Sequence, residues 1–288
     1  MIVRALMALM AGAFLLANSA PEFAPLTIGE TARVTVLGAE REINVILPKD
    51  YAKDVDKSWP VVVMIDGGQG QDLMMGVGVH NWNRLWGRSQ EAIWIGIETK
   101  DRQRELLPPT SDAAQQDRYP TAGQGDAFRA WLVDQMLPAL KARYRTNGMA
   151  FLVGESAAGH FVLETWFRQS DAFTGYAAIS PSLQWDGQSL SKAIMAGTDV
   201  ATAGTRAPLY FSLADEGGAF EEGVLRVAAS LDPKQDWCFS DRRRDLKHSN
   251  SLHGLLPEAL QYLMPTEADW LEEYGFTLRC DRSGRSPE

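Results

Sequence analysis

The sequence predicts an α/β fold with a mostly parallel central sheet and helices on both of its faces. Short, continuous apolar runs alternate along the chain with amphipathic segments of helical periodicity. This alternation is typical of buried parallel strands that are joined by crossover helices. Two of the runs end in small or polar residues, at residues 66–68 and 154–156. Because the carboxyl ends of parallel strands carry the sites of such sheets, these two endings are the first candidates for function.

The strands are predicted from their apolar runs. Residues 32–37 and 42–47 alternate apolar and polar side chains around a turn at residues 38–41, which predicts an antiparallel hairpin at the edge of the sheet. The other runs are continuous, as expected of strands that are covered on both faces. They comprise residues 61–65, 92–97, 150–153, 176–179 and 208–213.

Helices and one long polar segment fill the intervals between strands. Helical periodicity spans residues 126–144, where Pro138 should kink the helix, and further helices are predicted at residues 220–230 and 254–264. Residues 98–125 are polar and too long for an ordinary connection inside a compact domain. We therefore expect them to form a lip over a site.

The composition excludes one class of partner. The chain has 288 residues, of which 45% are hydrophobic, and a formal net charge of −9. This length and hydrophobic content are sufficient for one large core. The acidic balance, without a basic run, argues against a nucleic-acid partner.

Residues 1–19 are typical of a cleaved secretory signal peptide. A positive charge at Arg4 precedes an apolar stretch, and an A-x-S cleavage site follows it. The stretch is short for a membrane span, so we predict cleavage after Ser19 and no stable membrane insertion. Residues 20–288 would then form a single domain in the periplasm or as a secreted protein. An uncleaved membrane anchor is the alternative.

The chain has two cysteines, Cys238 and Cys280. In an oxidising compartment an even pair usually forms a disulfide, so export predicts a bridge between them that fixes the C-terminal tail to the body. Two free, buried thiols are the alternative.

Residues 150–161 have the sequence form of a nucleophile elbow. An apolar run ends at Gly154, and Ser156 is followed by small residues that open an amphipathic helix. In such a strand–turn–helix the serine backbone is strained and its hydroxyl projects from the carboxyl end of the strand. Ala158 stands where a second glycine is usual, with Gly159 after it. Ser156 as a simple helix cap is the alternative, but the partners found downstream favour a nucleophile.

A serine nucleophile needs a base, and the base needs a group that orients it. His160 lies on the same predicted helix as Ser156 and points away from the hydroxyl, so we expect a structural role for it. His248 and His253 both come before the last predicted helix. Because Gly254 would give His253 a tight turn, we predict His253 as the base in preference to His248.

The acid is predicted at the end of the strand at residues 208–213. Asp215 and Glu216 follow this strand and precede two glycines. Asp215 comes first and is the predicted acid, with Glu216 in reserve. The order Ser156, Asp215, His253 is that of the α/β-hydrolases. Two solvated loop carboxylates without a catalytic role are the alternative.

An oxyanion needs two backbone N–H donors. We predict one at Ala157, the residue after the nucleophile. The second is predicted at Gly68, in the glycine-containing loop after the strand at residues 61–65.

Several short motifs occur along residues 33–264. They are M-I-D-G-G at residues 64–68, R-Q-R-E-L-L-P at 102–108, G-D-A-F at 125–128 with Y-R-T at 144–146, the elbow, A-I-S-P-S-L-Q-W-D at 178–186, and H-G at 253–254. Together they resemble the "Putative esterase" family of the α/β-hydrolase superfamily, which includes siderophore, feruloyl and acetyl-xylan esterases, S-formylglutathione hydrolases and mycolyltransferases. The segment at residues 178–186 is the most specific and is most similar to the siderophore-esterase branch.

The resemblance implies an α/β-hydrolase fold, a small-molecule ester as substrate, and no metal or cofactor. Some members of the siderophore branch work with a Ser–His pair, which is the alternative to a triad that contains Asp215. The predicted function is therefore that of an exported serine esterase, in which His253 deprotonates Ser156. An acyltransferase on the same scaffold and a non-catalytic binding protein of the same fold are the competing functions. The sequence leaves the oligomeric state and the particular ester open.

Overall fold

A computed structural model describes residues 23–197 and 206–284 of the chain. The predicted signal peptide at residues 1–19 lies outside the described residues. These residues build one nine-stranded sheet in the order β1-β2-β4-β3-β5-β6-β7-β8-β9. The strands are β1 (Glu30–Val36), β2 (Ala39–Ile46), β3 (Trp59–Ile65), β4 (Ile93–Ile97), β5 (Thr146–Glu155), β6 (Gly175–Ile179), β7 (Leu209–Leu213), β8 (Trp237–Asp241) and β9 (Arg282–Ser283).

The six strands β3 to β8 run parallel to one another, whereas β1, β2 and β9 are antiparallel to their neighbours. The described part of the chain contains the helices α1 (Leu73–Trp86), α2 (Arg102–Leu106), α3 (Ala113–Arg118), α4 (Gly125–Trp131), α5 (Leu137–Arg143), α6 (Ala157–Arg168), α7 (Ser189–Ala196), α8 (Gly218–Ser230) and α9 (His248–Leu263). The predicted α/β fold is thereby confirmed. Within the described ranges, every helix is too short or too polar to cross a membrane.

The edge hairpin forms with a tighter turn than the sequence predicts. β1 and β2 are joined at Leu37 and Gly38, both with positive φ, and Val36 pairs directly with Ala39. Two residues of positive φ match the right-handed twist of the flanking strands. The second strand therefore begins three residues earlier than predicted, at Ala39.

Side chains of the central strand alternate between two hydrophobic clusters, one on each face of the sheet. Val63 of β3 belongs to the cluster that contains Phe161 of α6. Met64, one residue later, belongs to the cluster that contains Leu73 of α1 and Leu255 of α9. Successive residues of a strand point to opposite faces. The continuous apolar run is thus explained by burial on both sides.

The predicted helix at residues 126–144 is interrupted rather than simply bent. A π-helical turn at Leu132–Met136 separates α4 from α5, and the N–H of Leu137 bonds to the carbonyl oxygen of Leu132. Pro138 then lies in the first turn of α5, directly after the π-helical turn. The extra residue in the turn accommodates the proline.

The predicted lip contains two short helices. Residues 98–125 include α2 and α3, and they are attached to the loop that follows β6. Trp185 Nε1 donates to the carbonyl oxygen of Pro108 at 2.9 Å, and the Ser111 N–H donates to Asp186 Oδ1 at 2.7 Å.

In the last third of the chain, β8, β9 and α9 differ from the sequence prediction. Strand β8 is missing from the prediction, because its sequence W-C-F-S-D is too polar at its end to form a continuous apolar run. Helix α9 begins at His248 rather than at residue 254, and the side chain of Asn250 accepts a hydrogen bond from the Lys247 N–H at 2.7 Å. This cap starts the helix early and places His248 in its first turn.

The predicted disulfide between Cys238 and Cys280 is confirmed. Cys238 lies in β8, and the chain that follows Cys280 forms β9, whose Ser283 pairs with Cys238. The bridge therefore holds the C-terminal tail against the last parallel strand.

Removal of this bridge should destabilise the protein by roughly 4 kcal/mol, because it closes a loop of 42 residues and restricts the unfolded chain. Urea unfolding of the Cys280→Ser variant, compared with the oxidised wild type, measures the difference. Reductant should lower the stability of the wild type and leave the variant unchanged. Equal stability of the oxidised wild type and the variant would contradict the prediction.

Candidate active site

The nucleophile elbow predicted around Ser156 is present. β5 ends at Glu155, α6 begins at Ala157, and the intervening Ser156 has φ 61° and ψ −118°. This is a sparsely populated backbone conformation for a residue with a side chain, and it persists only when the surroundings impose it. The N–H of Ser156 donates to the carbonyl oxygen of Ile179 at 3.1 Å, which holds the turn against β6.

Two glycines allow the strand and the helix to approach this closely. A Cβ added to Gly154 would lie 2.7 Å from the backbone of Ala158, and one added to Gly159 would lie 2.8 Å from the carbonyl oxygen of Ile179. The close contact with β6 is therefore made by Gly159, not by position 158. This explains why an alanine is tolerated where a second glycine is usual.

The imidazole beside Ser156 belongs to His248. His248 Nε2 lies 3.0 Å from Ser156 Oγ. The ring of Phe220 packs edge-on against the imidazole, with ring centroids 5.4 Å apart. The His248 side chain is 38% exposed, so one side of it faces solvent.

The other nitrogen of the imidazole contacts Glu216. His248 Nδ1 lies 3.1 Å from Glu216 Oε1, and the Glu216 side chain is only 4% exposed. A carboxylate only accepts hydrogen bonds, so Nδ1–H is the donor and, in the neutral ring, Nε2 is left to accept from Ser156. The hydrogen bond to Glu216 raises the pKa of His248, with a further contribution from the charge of Glu155.

His253, the base predicted from the sequence, is not the histidine that contacts Ser156. His253 lies in the second turn of α9, where it is exposed. Five helical residues correspond to a rotation of about 140° beyond a full turn. Because His248 faces Ser156, His253 faces away from it.

Asp215, the acid predicted from the sequence, is not the carboxylate that contacts His248. Asp215 forms an ion pair with Lys247 at the surface, and its N–H donates to the carbonyl oxygen of Leu246. Glu216, the reserve choice, is the carboxylate that turns inward to the imidazole. Neighbouring residues of extended chain project to opposite sides, so only one of the two can face the site.

The two predicted oxyanion donors differ in their surroundings. Ala157 is the first residue of α6, and N–H groups at this position have no partner within their own helix. The Gly68 N–H donates to Gln71 Oε1 at 3.0 Å. Gln71 is held in turn by the carbonyl oxygen of Thr99 at 2.9 Å. The Ala157 amide thus lies beside the hydroxyl, whereas the Gly68 amide is engaged by a side chain.

Ser182, which the sequence analysis did not single out, lies against Ser156. Its Oγ is 3.2 Å from Ser156 Oγ, and its N–H donates to the carbonyl oxygen of Ser156 at 3.0 Å. The imidazole Nδ1 of His160 lies 3.0 Å from the carbonyl oxygen of Ser182. Burial lowers the pKa of His160, which keeps the ring neutral and fits the structural role expected for it. The signal for Ser182 was its place in the S-P-S-L motif.

Glu155 is a second carboxylate at the imidazole. Its Oε1 lies 3.3 Å from His248 Nε2 and accepts a hydrogen bond from Ser251 Oγ at 3.2 Å. Burial raises the pKa of Glu155 to about 7, against the opposing charges of His248 and Arg102. Sequence reasoning passed over Glu155 because the position before an elbow serine carries no fixed residue type.

Arg102 connects the elbow to the loop after β3. Its Nη2 lies 3.5 Å from the carbonyl oxygen of Glu155, and its Nε donates to Asp66 Oδ2 at 2.9 Å. Asp66 also accepts a hydrogen bond from Thr99. The R-Q-R-E-L-L-P motif and the M-I-D-G-G motif therefore meet at the site.

An elbow serine in contact with an imidazole, at the carboxyl edge of a mostly parallel sheet in this strand order, defines the α/β-hydrolase fold. Residues 34–230 match the model of the family described as "Putative esterase", and the chain belongs to this family.

One curated relative is the ferri-bacillibactin esterase BesA of Bacillus subtilis (strain 168), 24% identical over 165 residues. The match covers 51% of this chain and 55% of BesA, so the chain spans about half the length of this relative. Two solved structures share the fold. An IroE-like serine hydrolase from Shewanella oneidensis has a TM-score of 0.67 and 19% identity, covering 81% of this chain and 79% of the other. The siderophore hydrolase EstB from Aspergillus nidulans has a TM-score of 0.67 and 15% identity, covering 85% and 98%.

The close packing at Gly154 predicts that Gly154→Ala destabilises the protein. The added Cβ would collide with backbone atoms of Ala158, so α6 must shift, at a cost of about 1–3 kcal/mol. Urea unfolding measures this loss. Gly70→Ala is the matched control, because nothing lies within 4 Å of its added Cβ. Equal stability of the two variants would show that the elbow is not tightly packed.

Proposed function

We propose that this protein is a serine esterase that hydrolyses carboxylic esters with Ser156 as nucleophile, His248 as base and Glu216 as the acid that orients the base. The observation that carries the proposal is the pair of contacts from His248, at 3.0 Å to Ser156 Oγ and 3.1 Å to Glu216 Oε1. Nucleophile, base and orienting group within hydrogen-bond distance are the signature of covalent catalysis by serine.

The reaction proceeds in two halves. In the first, His248 Nε2 takes the hydroxyl proton as Ser156 Oγ attacks the ester carbonyl, and the imidazolium then gives that proton to the departing alcohol. In the second, water loses a proton to Nε2 as it attacks the acyl-enzyme, and the proton returns to Ser156 when the carboxylic acid leaves. Glu216 holds Nδ1–H throughout, which fixes the tautomer and stabilises the imidazolium.

The negative charge on the carbonyl oxygen needs N–H donors in the transition state. The amide of Ala157 is the first donor, because it opens α6 next to the nucleophile. The amide of Gly68 is the second donor in this proposal. Its bond to Gln71 must be exchanged for one to the oxyanion, so this donor becomes available only if the Gln71 side chain turns aside.

We propose a siderophore-type or aromatic acyl ester as the substrate class. The similarity to the ferri-bacillibactin esterase BesA and the siderophore hydrolase EstB, and the likeness of residues 178–186 to the siderophore-esterase branch, support this choice. We also propose that the protein is exported after cleavage behind Ser19. The Cys238–Cys280 disulfide supports export, because such bridges persist in oxidising compartments.

The assignment of the nucleophile and the base predicts a clear contrast among three variants. Ser156→Ala and His248→Gln should each lower kcat/KM for a nitrophenyl ester on the order of 10⁴-fold. His253→Gln should retain wild-type activity, because its side chain is exposed on the far side of α9. The same three proteins are then treated with a fluorophosphonate and analysed by mass spectrometry. The assignment would be refuted if His248→Gln had the kcat/KM of the wild type, or one as high as that of His253→Gln.

The assignment of the acid gives a second contrast. Glu216→Gln removes the acceptor of Nδ1–H and should depress kcat by as much as roughly 10⁴-fold, through loss of charge and the wrong tautomer. Asp215→Asn removes a neighbouring carboxylate that pairs with Lys247 instead and should have little effect. Steady-state kinetics of both variants measures the difference. Loss at Asp215 alone would restore the sequence prediction, and loss at neither would indicate a Ser–His pair.

A further inference from the structure

Both nitrogens of His248 face a carboxylate. Glu216 is 3.1 Å from Nδ1, and Glu155 is 3.3 Å from Nε2, the nitrogen that also contacts Ser156 Oγ at 3.0 Å. Only Glu216 has a part in the mechanism above. Glu155 is mostly buried, with 17% of its side chain exposed. Because burial of a carboxylate costs free energy, its position next to the proton-accepting atom indicates a function.

We propose that Glu155 is a positioning residue that tunes His248 as a base by stabilising the proton on Nε2. The proposal deepens the proposed function and rests on Ser156 and His248 being the catalytic pair. It assigns a role in acid–base control to the residue between Gly154 and Ser156.

The geometry gives Glu155 opposite effects on the two states of the ring. When the imidazole is neutral, the Nε2 lone pair faces the carboxylate, and the two repel each other. When Nε2 carries the proton taken from Ser156 or from water, the imidazolium N–H lies 3.3 Å from an acceptor of opposite charge. An opposite charge at this distance favours the charged form of a titratable group. Ionised Glu155 therefore makes His248 a stronger base.

The side chain of Glu155 is held in this position from two elements. Ser251 of α9 donates to its Oε1 at 3.2 Å, and the same hydroxyl lies 2.9 Å from the carbonyl oxygen of His248. The strained turn at Ser156 fixes the backbone on the other side, where Arg102 contacts the Glu155 carbonyl oxygen. The carboxylate and the imidazole are thus linked through α9 as well as through space.

The charged groups around Glu155 and His248 set the pH range in which Glu155 affects the base. Burial raises the pKa of Glu155 to about 7, Asp72 adds to the rise, and His248 and Arg102 oppose it. Glu216 and Glu155 raise the pKa of His248, whereas burial and Arg102 lower it. Burial and the charge of Asp66 raise the pKa of Asp72 itself. Glu155 and His248 are in contact and each charge shifts the pKa of the other group, so their protons come off as a coupled pair.

Removal of the Glu155 charge should shift the acidic limb of the pH profile to lower pH. As the pH falls through the coupled range, His248 gains its proton and the base is lost. Removal of the negative charge at Glu155 lowers the pKa of His248, so the neutral base persists to lower pH. An opposite charge at this distance shifts a pKa by at least about one unit. The acidic limb of a neutral variant should therefore lie about one pH unit lower and follow a single proton.

The test is the pH dependence of kcat/KM for a nitrophenyl ester, with the full chain as wild type, Glu155→Gln, Glu155→Ala and Glu155→Asp. Both neutral variants should show the acidic limb shifted down by about one unit. Their plateau at high pH should fall severalfold, because a weaker base is a poorer proton acceptor. Glu155→Asp keeps the charge and should keep the limb close to that of the wild type. A merely structural residue would lower the rate at every pH without moving the limb.

Asp215→Asn is the matched control, because it removes a nearby carboxylate whose partner is Lys247. Its acidic limb should coincide with that of the wild type.

Fluorophosphonate labelling of Ser156, followed by mass spectrometry, separates the proposed role of Glu155 from the proposed esterase function. If the Glu155 variants are labelled at Ser156 but their acidic limbs do not shift, the role of Glu155 is overturned and the proposed esterase function stands. A wild type that neither labels at Ser156 nor hydrolyses esters would overturn the proposed function itself. Two neutral variants keep the test readable if one of them disturbs the elbow.

Discussion

The strained backbone at Ser156 is the constraint on which the rest of the site depends. A residue with a side chain adopts φ 61° together with ψ −118° only when the surrounding structure imposes this conformation. Here Gly154 and Gly159 bring strand, helix and β6 into contact, and the Ser182 N–H holds the Ser156 carbonyl oxygen. The buried, neutral His160 supports Ser182 in turn. The packing of α6, nearly all of whose residues are buried, offsets the free energy that this conformation costs.

The parallel sheet delivers the remaining groups to the same edge. β5 lies beside β6, and β6 beside β7, with all three parallel, so their carboxyl ends open together. Ser156 follows β5, Ser182 follows β6, and Glu216 follows β7. His248 comes from the first turn of α9, which packs on the sheet face that carries Met64. Four residues far apart in the sequence thus meet because the connections between parallel strands return the chain to one edge.

Periodicity and glycine placement were sufficient to predict β1 to β7 and the elbow at Ser156, because both signals are local. The base and the acid needed information that is not local. Whether His248 or His253 faces the serine depends on where α9 begins, and the asparagine at position 250 moves that start back by six residues. Whether Asp215 or Glu216 turns inward depends on the direction of one residue after β7. In both cases the two candidates are close in the sequence, yet only one of each pair contacts the site.

The turn that exposes Ser156 also sets the position of Glu155, the residue before it. Because the chain reverses at Ser156, the Glu155 side chain stays at the carboxyl edge of the sheet, beside the hydroxyl and the imidazole. Burial of this carboxyl costs free energy, as its raised pKa shows. A residue selected for stability alone would be apolar or fully exposed at this position. Unfavourable burial next to reacting atoms is typical of sites in which function opposes stability. In the proposed mechanism, the elbow therefore carries two chemical groups, the nucleophile Ser156 and the carboxylate of Glu155, which acts on the base.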